Sequence, residues 1–600
     1  MKLRTEVQDC DKWNVEALYP SIDAWEKEFS TLAGEKKPRF PELLKFQGRL
    51  SQGPQVLKDA IDLSIVLERK LEKLYTYAHL RHDEDITNDL YKAAYMRITA
   101  LLCDLREEFA WFEPEVLGLS QEKIDEYLKS PLLAPYRFLI QKIVRLRPHT
   151  LSADKEALLA MVGKPLQAPP KAFSALNNAD IKFEKIKDSK GESHEMTHGL
   201  YQLYLRSPDR VLRQNAFNEM MGRFTNYENT IAELLNGEME GHFFNARARN
   251  FSTCLEAALF PFNIKPEVYT SLIENVRAGL PALHRYVALR KKVMKLKELH
   301  LYDMYVPLVQ EVEIKMEYDE GEKVVIESVA ILGNEYQDLL AKGLEKERWV
   351  DRYENKNKRS GAYSSGCFDS FPYILMNYRG VLRDVFTLAH EAGHSMHSHL
   401  SRTSQPYQDS HYPIFLAEVA STFNEELLMQ TLLKKRTKKE ERIFLLNEKI
   451  EDIRATFFRQ TMFAEFELLL HTLVEQGVPL TPALLKEKYL ELNQAYFGPE
   501  AVIDPEIAIE WARIPHFYYN FYVYQYATGI SAAFSLIEKV GSGEKTARDA
   551  YLAFLKSGGK DFPLELLKIA GVDMTSPQPV QATIRKFESL VKELEALLSS

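Results

Sequence analysis

The chain has 600 residues, 45% hydrophobic, 11% aromatic and 27% charged, an ordinary globular composition that excludes a disordered, collagen-like or low-complexity polypeptide. A net charge of −9 over this length offers no basic field of the kind that holds nucleic acid or anionic lipid, so neither a nucleic-acid nor a membrane partner is expected. Four scattered cysteines, no apolar leader behind the basic start and no run of about 18 apolar residues point to a soluble, unexported protein of the reducing cytoplasm.

From about residue 23 to 130 apolar residues recur at three- and four-residue spacing, as in Leu57, Ile61, Ile65, Leu67 and Leu71, which predicts amphipathic helices. Residues 163–170 contain Pro165, Pro169 and Pro170 and read as a loop or boundary, because proline removes backbone donors and restricts the residue before it. Alternation around Ile181 and Phe183, followed by Asp188-Ser189-Lys190-Gly191, predicts a hairpin. Helical patterns resume after residue 205 and run to the end, interrupted near 300–316 and 359–380. The second interruption is rich in glycine, serine and aromatics and suits strands and turns. The basic run Lys434 to Lys439 is followed by Glu440 and Glu441 and reads as a solvated helix junction. The expected fold is therefore mainly α, with a small β element just upstream of the strongest motif.

That motif lies in Leu388-Ala389-His390-Glu391-Ala392-Gly393-His394, which contains H-E-x-x-H. On a helix, four residues at about 100° each return to within about 40° of the start, so both imidazoles face one cation. Glu391 stands where it can hold a water bound to that cation. Chance predicts only about 0.05 such patterns in a chain of this composition. Catalytic zinc takes a third protein ligand and keeps one position for water. The metzincin continuation fails, since His397 and Leu400 stand where glycine and histidine are required. His397 shares the face of His394, but two histidines already crowd one hemisphere of the ion, so it is read as surface or supporting. Glu418, opening an amphipathic helix after a turn, is the better third ligand. Glu425, two turns further along nearly the same face, is placed to hydrogen-bond a ligating imidazole.

A third constellation runs from Arg513 to Gly529. Tyr518, Tyr522 and Tyr526 repeat every four residues, with Tyr519 flanking, so on a helix they form one stripe headed by His516. Such a stripe suits an amphipathic core, and equally a set of neutral donors for a tetrahedral oxyanion.

With these residues in view the chain resembles the oligoendopeptidase F family, in the thimet-oligopeptidase superfamily of zinc metallopeptidases. The likeness extends over most of the sequence: Trp13-Asn14-Val15-Glu16-Ala17-Leu18-Tyr19-Pro20, Arg359-Ser360-Gly361-Ala362-Tyr363-Ser364-Ser365-Gly366, the H-E-x-x-H segment, Ala417-Glu418-Val419-Ala420-Ser421-Thr422, His516 to Gly529, and Ala570-Gly571-Val572-Asp573-Met574. The resemblance implies a large two-lobed helical body enclosing a substrate channel, with an N-terminal helical region at 1–115, an intermediate region with the hairpin at 116–200 and a catalytic domain at 201–600. It implies one zinc ion per chain on His390, His394 and Glu418, with Glu391 as general base. His516 and Tyr522 would assist the oxyanion, and Tyr519 and Tyr526 would touch substrate. Residues 361–365, with Gly361, Ala362 and Tyr363 at their head, would offer a strand edge to the substrate backbone. The expected partners are short, unfolded oligopeptides cut at internal bonds. Two rival readings remain: a metallocarboxypeptidase using a cation such as Arg513 to clamp the substrate C-terminus, and a non-catalytic peptide-binding scaffold.

Overall fold

The computed structural model of the protein describes residues 2–308 and 314–599, so residues 309–313 of the expected interruption near 300–316 lie outside the described residues. The chain is 71% helical with a few short strands, the mainly α fold expected. Contacts group it into two compact units, each assembled from three stretches: Met1–Pro148, Glu313–Leu432 and Leu536–Val572 form the first, and His149–Val312, Leu433–Ser535 and Asp573–Ser600 the second. Among the described residues no helix is long and apolar enough to cross a membrane.

In the first unit, α1 (Pro54–Glu84) begins on a proline, whose missing N–H costs nothing at that position. The helix α2 (Asp89–Phe109) starts where the Asn88 side chain accepts from the Leu90 and Tyr91 amides. Leu71, Leu74 and Ala78 of α1 share a buried cluster with Ala94, Ile98, Leu101 and Leu105 of α2 and with Trp13 and Trp25. Each such leucine contributes about 1.5–3 kcal/mol by leaving water. The cluster also takes in Cys367, Tyr373 and Leu375 and so ties α1 to a three-stranded sheet. The strands are β1 (Val350–Asp351), β2 (Tyr363–Ser365) and β3 (Tyr373–Leu375), in the order β1-β3-β2. β1 runs parallel to β3 and β2 antiparallel, which leaves β2 at the edge. The connection after β1 is pinned by buried charge: Lys358 Nζ lies 2.6 Å from Asp351 Oδ1, and Arg4 Nη1 donates to the same oxygen at 2.9 Å. The helix α3 (Leu382–Ser404) follows, then α4 (Ile414–Lys435). α3 buries Val385, Leu388, Ala389, Ala392 and Met396, spaced three and four apart, so His390 and His394 fall on the opposite side of this stripe.

In the second unit the helices Glu228–Ala248, Pro266–Ala278, Arg459–Glu475 and Pro482–Phe497 enclose a core that contains a paired buried charge. Arg459 donates to Glu510 at 2.7 Å, and Tyr489 donates to the other Glu510 oxygen at 2.7 Å. The expected hairpin turn is present but its first strand is shorter and later than the alternation suggested: residues 181–185 are not strand, and Ile186–Lys187 runs antiparallel to Ser193–His194 across the turn at Asp188. The loop expected at 163–170 is corrected: Pro165–Gln167 is a 3₁₀ turn, and Pro169 and Pro170 sit in the first turn of the helix Ala168–Ala175. There the prolines start a helix rather than stop one, because the first-turn amides have no intrahelical acceptor.

Candidate metal centre

The site begins with a glycine. A Cβ at Gly393 would lie 2.6 Å from the Ala420 carbonyl oxygen and 2.7 Å from Ser421 Cα, so α3 meets the backbone of α4 at a distance no side chain allows. This crossing sets Glu418 opposite the two histidines. Glu418 lies in the second turn of α4, which starts four residues earlier than the sequence suggested.

His390 Nε2 and His394 Nε2 are 3.1 Å apart, and Glu418 Oε2 is 3.4 Å from the first and 3.5 Å from the second. An ion bonded tetrahedrally to such donors at about 2.0–2.2 Å keeps them about 3.3–3.6 Å apart; both Glu418 distances lie in that range and the imidazole pair at 3.1 Å is slightly closer, so the three atoms can share one cation after a small separation of the rings. Asp188, Glu192 and His194 are a second trio with nearby donor atoms. Turn geometry accounts for them: Asp188 accepts from the Lys190 and Glu192 amides at 2.9 Å each, and its other oxygen lies 2.9 Å from His194.

The surroundings prepare the donors. His390 Nδ1 lies 2.5 Å from Glu425 Oε1; the carboxylate only accepts, so Nδ1 carries the proton and the Nε2 lone pair is left for a metal. Burial alone would lower the His390 pKa, but the hydrogen bond and charge of Glu425, with Glu391 and Glu418 nearby, raise it to about 9 in the metal-free protein. A metal must displace that proton. Loss of water would raise the Glu418 carboxyl, yet its bond to His394, both imidazole charges and the Ser421 hydroxyl, which donates at 2.9 Å, bring it down to about 2. Glu391, 8% exposed, is shifted the other way, above its usual range, chiefly by burial.

Glu391 stands one helical turn before Ser395, the α3 residue through which the helix meets β2. The Ser364 hydroxyl lies 2.8 Å from the Ser395 hydroxyl of α3. In an antiparallel pair backbone groups alternate between ladder and open edge. Ile374, paired with Ser364, gives its N–H to the Trp349 carbonyl at 2.8 Å on the β1 side, so Tyr373 and Leu375 face β2, and Ser364, with Ala362 two residues before it, turns its N–H and C=O to the open edge. Gly393, Ser395 and Ser421 were given no role of their own in the sequence, and Ser364 only as part of the edge at 361–365. The only trace they leave there is small residues one helical turn from a ligand or on alternate strand positions.

The remaining candidates fall elsewhere. His397 is fully buried, stacked on Tyr412 at 3.7 Å, and neither ring nitrogen has a hydrogen-bond partner among the described residues; it is core, not surface. In the second unit the tyrosine stripe is corrected. Residues 518–526 are not one helix: Pro515–Tyr518 form a 3₁₀ turn, Asn520 and Phe521 are left-handed with φ of 41° and 57°, and the next helix starts at Tyr524. Tyr518 leaves the group and stacks on Phe173 at 4.5 Å. Tyr519, Tyr522 and Tyr526 still gather round His516, with ring centres 5.7, 6.4 and 5.8 Å from it. The Tyr526 hydroxyl is 3.4 Å from His516 Nε2, and burial lowers the His516 pKa.

The sequence profile of peptidase family M3 matches residues 203–586, and that described as Oligopeptidase F matches residues 115–183. The chain is 45% identical over 596 residues to Oligopeptidase PepF of Bacillus subtilis, covering 99% of this chain and 88% of the relative. A crystal structure of a putative peptidase from Chlamydophila abortus superposes with a TM-score of 0.95 at 44% identity, over 99% of this chain and 100% of the other. That of oligoendopeptidase-F from Enterococcus faecium does so with a TM-score of 0.73 at 37% identity, over 98% and 99%.

Proposed function

The chain belongs to peptidase family M3, and on that premise we propose that this metallopeptidase uses one zinc ion to hydrolyse internal bonds of short, unfolded oligopeptides. The observation that carries the reading is the meeting of three donor atoms within 3.1–3.5 Å beside a glutamate that belongs to none of them. His390, His394 and Glu418 hold the ion, and two imidazoles with one carboxylate are a donor set that suits zinc. When bound, zinc supplies Lewis acidity, polarising the scissile carbonyl and making a water acidic near neutral pH.

The protein's own groups do the rest. Glu391 accepts the proton of the attacking water and returns it to the leaving nitrogen, so one water is consumed and an acid and an amine are released. Glu425 fixes the ring of His390. The open edge of β2 pairs with the substrate backbone at Ala362, between Gly361 and Tyr363, and because such pairing ignores side chains it supports broad specificity. His516 and Tyr522 are proposed as oxyanion donors, and Tyr519 and Tyr526 as substrate contacts, on the strength of the sequence resemblance.

The test pairs metal analysis with cleavage of an internally quenched peptide. Glu391→Gln is expected to keep one zinc per chain and to lose about 10²–10⁴-fold in kcat, the range for a general base. Wild-type activity in that variant would remove Glu391 from its role. A peptide blocked at both termini is expected to be cut; failure to cut it would favour a carboxypeptidase.

A further inference from the structure

We propose that Asp83 is a positioning residue for β2: from α1 it holds both ends of the strand and so sets the register in which a peptide backbone meets Glu391. The proposal rests on the reading of β2 as the strand that pairs with substrate.

Side chains alternate along a strand, so Tyr363 and Ser365 leave one face of β2 and Ser364 the other. The Ser364 side faces α3 through Ser395. The opposite side faces the last turns of α1, where Asp83 is 2% exposed. Tyr363 donates its hydroxyl to Asp83 Oδ2 at 2.7 Å, and Arg359, just ahead of the strand, donates to the same oxygen at 3.3 Å. The Arg359 N–H donates to the Asp83 carbonyl at 3.0 Å. At the other end Asp83 acts through His79, whose Nδ1 lies 3.3 Å from Asp83 Oδ2 and whose Nε2 lies 3.1 Å from the Ser365 hydroxyl. The His79 ring packs against Tyr75 and Tyr363, at 5.6 and 5.5 Å between centres. His82 takes the remaining carboxylate oxygen at 3.2 Å.

Helix stability does not account for this carboxylate. It sits in the last turn of α1, where the backbone dipole disfavours negative charge, and burying it costs hydration. What it supplies is a fixed strand. Because Ser364 meets Ser395, one turn beyond Glu391 on α3, a shift of β2 changes where the pairing edge lies relative to the general base. A misplacement of about 1 Å can cost about 10²-fold in rate.

The experiment is a cycle between protein and substrate. Quenched peptides carrying a single backbone N-methyl group, scanned over the positions flanking the cut, are assayed with wild type and Asp83→Asn, and zinc content is measured for both. One N-methyl position is expected to cost wild type about tenfold in kcat/KM, the worth of one backbone hydrogen bond. In Asp83→Asn that penalty is expected to shrink below about twofold at unchanged zinc content, because the strand no longer holds register. An equal penalty in both proteins overturns the proposal. A wild type indifferent to every N-methyl position would overturn the pairing reading and this proposal with it. Should Asp83→Asn fail to fold, the double variant Tyr363→Phe, His79→Gln releases both ends of the strand without touching the aspartate and is read by the same two outcomes.

Discussion

Two glutamates, one in each unit, are driven in opposite directions. Glu418, on the open side of the α3–α4 crossing, faces two imidazoles and a hydroxyl and falls to about 2. Glu467, on the helix Arg459–Glu475, is fully buried; its Oε1 accepts the Phe521 N–H at 2.6 Å, its Oε2 has no partner among the described residues, and burial lifts it to about 8. The first site keeps an anion ready for a cation. The second keeps a neutral acid as a fixed acceptor for one backbone amide. Position on a helix does not decide the charge of a glutamate; its partners do.

The largest expected effect sharpens the anionic side of that contrast. Glu418→Ala is expected to lower zinc affinity by more than about 100-fold, the ceiling for residues that only support ligands. Equilibrium dialysis against a competing chelator measures it, and unchanged affinity would strip Glu418 of its assignment. Glu425→Ala, which leaves all three donors but frees the ring of His390, is expected to cost about 10–100-fold in the same assay. Should it cost as much as Glu418→Ala, the two carboxylates would have to exchange roles.

The contrast also explains what was legible in the sequence. His390, His394 and Glu391 are related by helical spacing within five residues, and Glu425 to Glu418 by two turns of the next helix, while the choice of Glu418 rested on the need for a third ligand after a turn and on the family resemblance. The turn at Asn520 and Phe521 carries no such signal. A phenylalanine with positive φ is strained, and what imposes that conformation is Glu467, over fifty positions earlier in the chain, together with the ring of His471 stacked on Phe521 at 4.2 Å. A four-residue tyrosine repeat therefore looked helical and was not. Gly393 was hidden for a related reason: its lack of a side chain matters only because Ala420 and Ser421 come from another helix.

Gly393→Ala tests that point directly. Alanine favours a helix by about 1 kcal/mol over glycine, but its Cβ would meet backbone, which cannot rotate away. The variant is expected to push α3 and α4 apart at a cost of about 1–3 kcal/mol and to weaken zinc binding by about tenfold. Zinc binding equal to wild type would show that the crossing does not hold the donor geometry.

The smallest effect belongs to the neutral side. Since the folded Glu467 pKa is raised to about 8 above an ordinary 4.5, the stabilisation of the closed turn is complete below about 4.5 and is lost as pH rises through about 8. Opening the turn lets the acid ionise, so the protection of the Phe521 amide against hydrogen exchange, corrected for intrinsic exchange, should fall about tenfold, or about 1.4 kcal/mol, for each pH unit between 5 and 8. The groups that face Glu467 leave this window clear where their shifts are defined: burial keeps His471 neutral down to about 3, and burial with the Glu467 charge holds the Tyr269 phenol well above 10. The pair His242 and Glu238 lies one residue further, with His242 Nδ1 3.1 Å from His471 Nε2 and His242 Nε2 3.3 Å from Glu238 Oε1, and its contribution is common to wild type and variant. In Glu467→Gln the amide oxygen still accepts from Phe521 but nothing titrates, so protection should stay level across the window. Parallel slopes in the two proteins would show that Glu467 is ionised in the closed turn and that the opposition between the two glutamates is false.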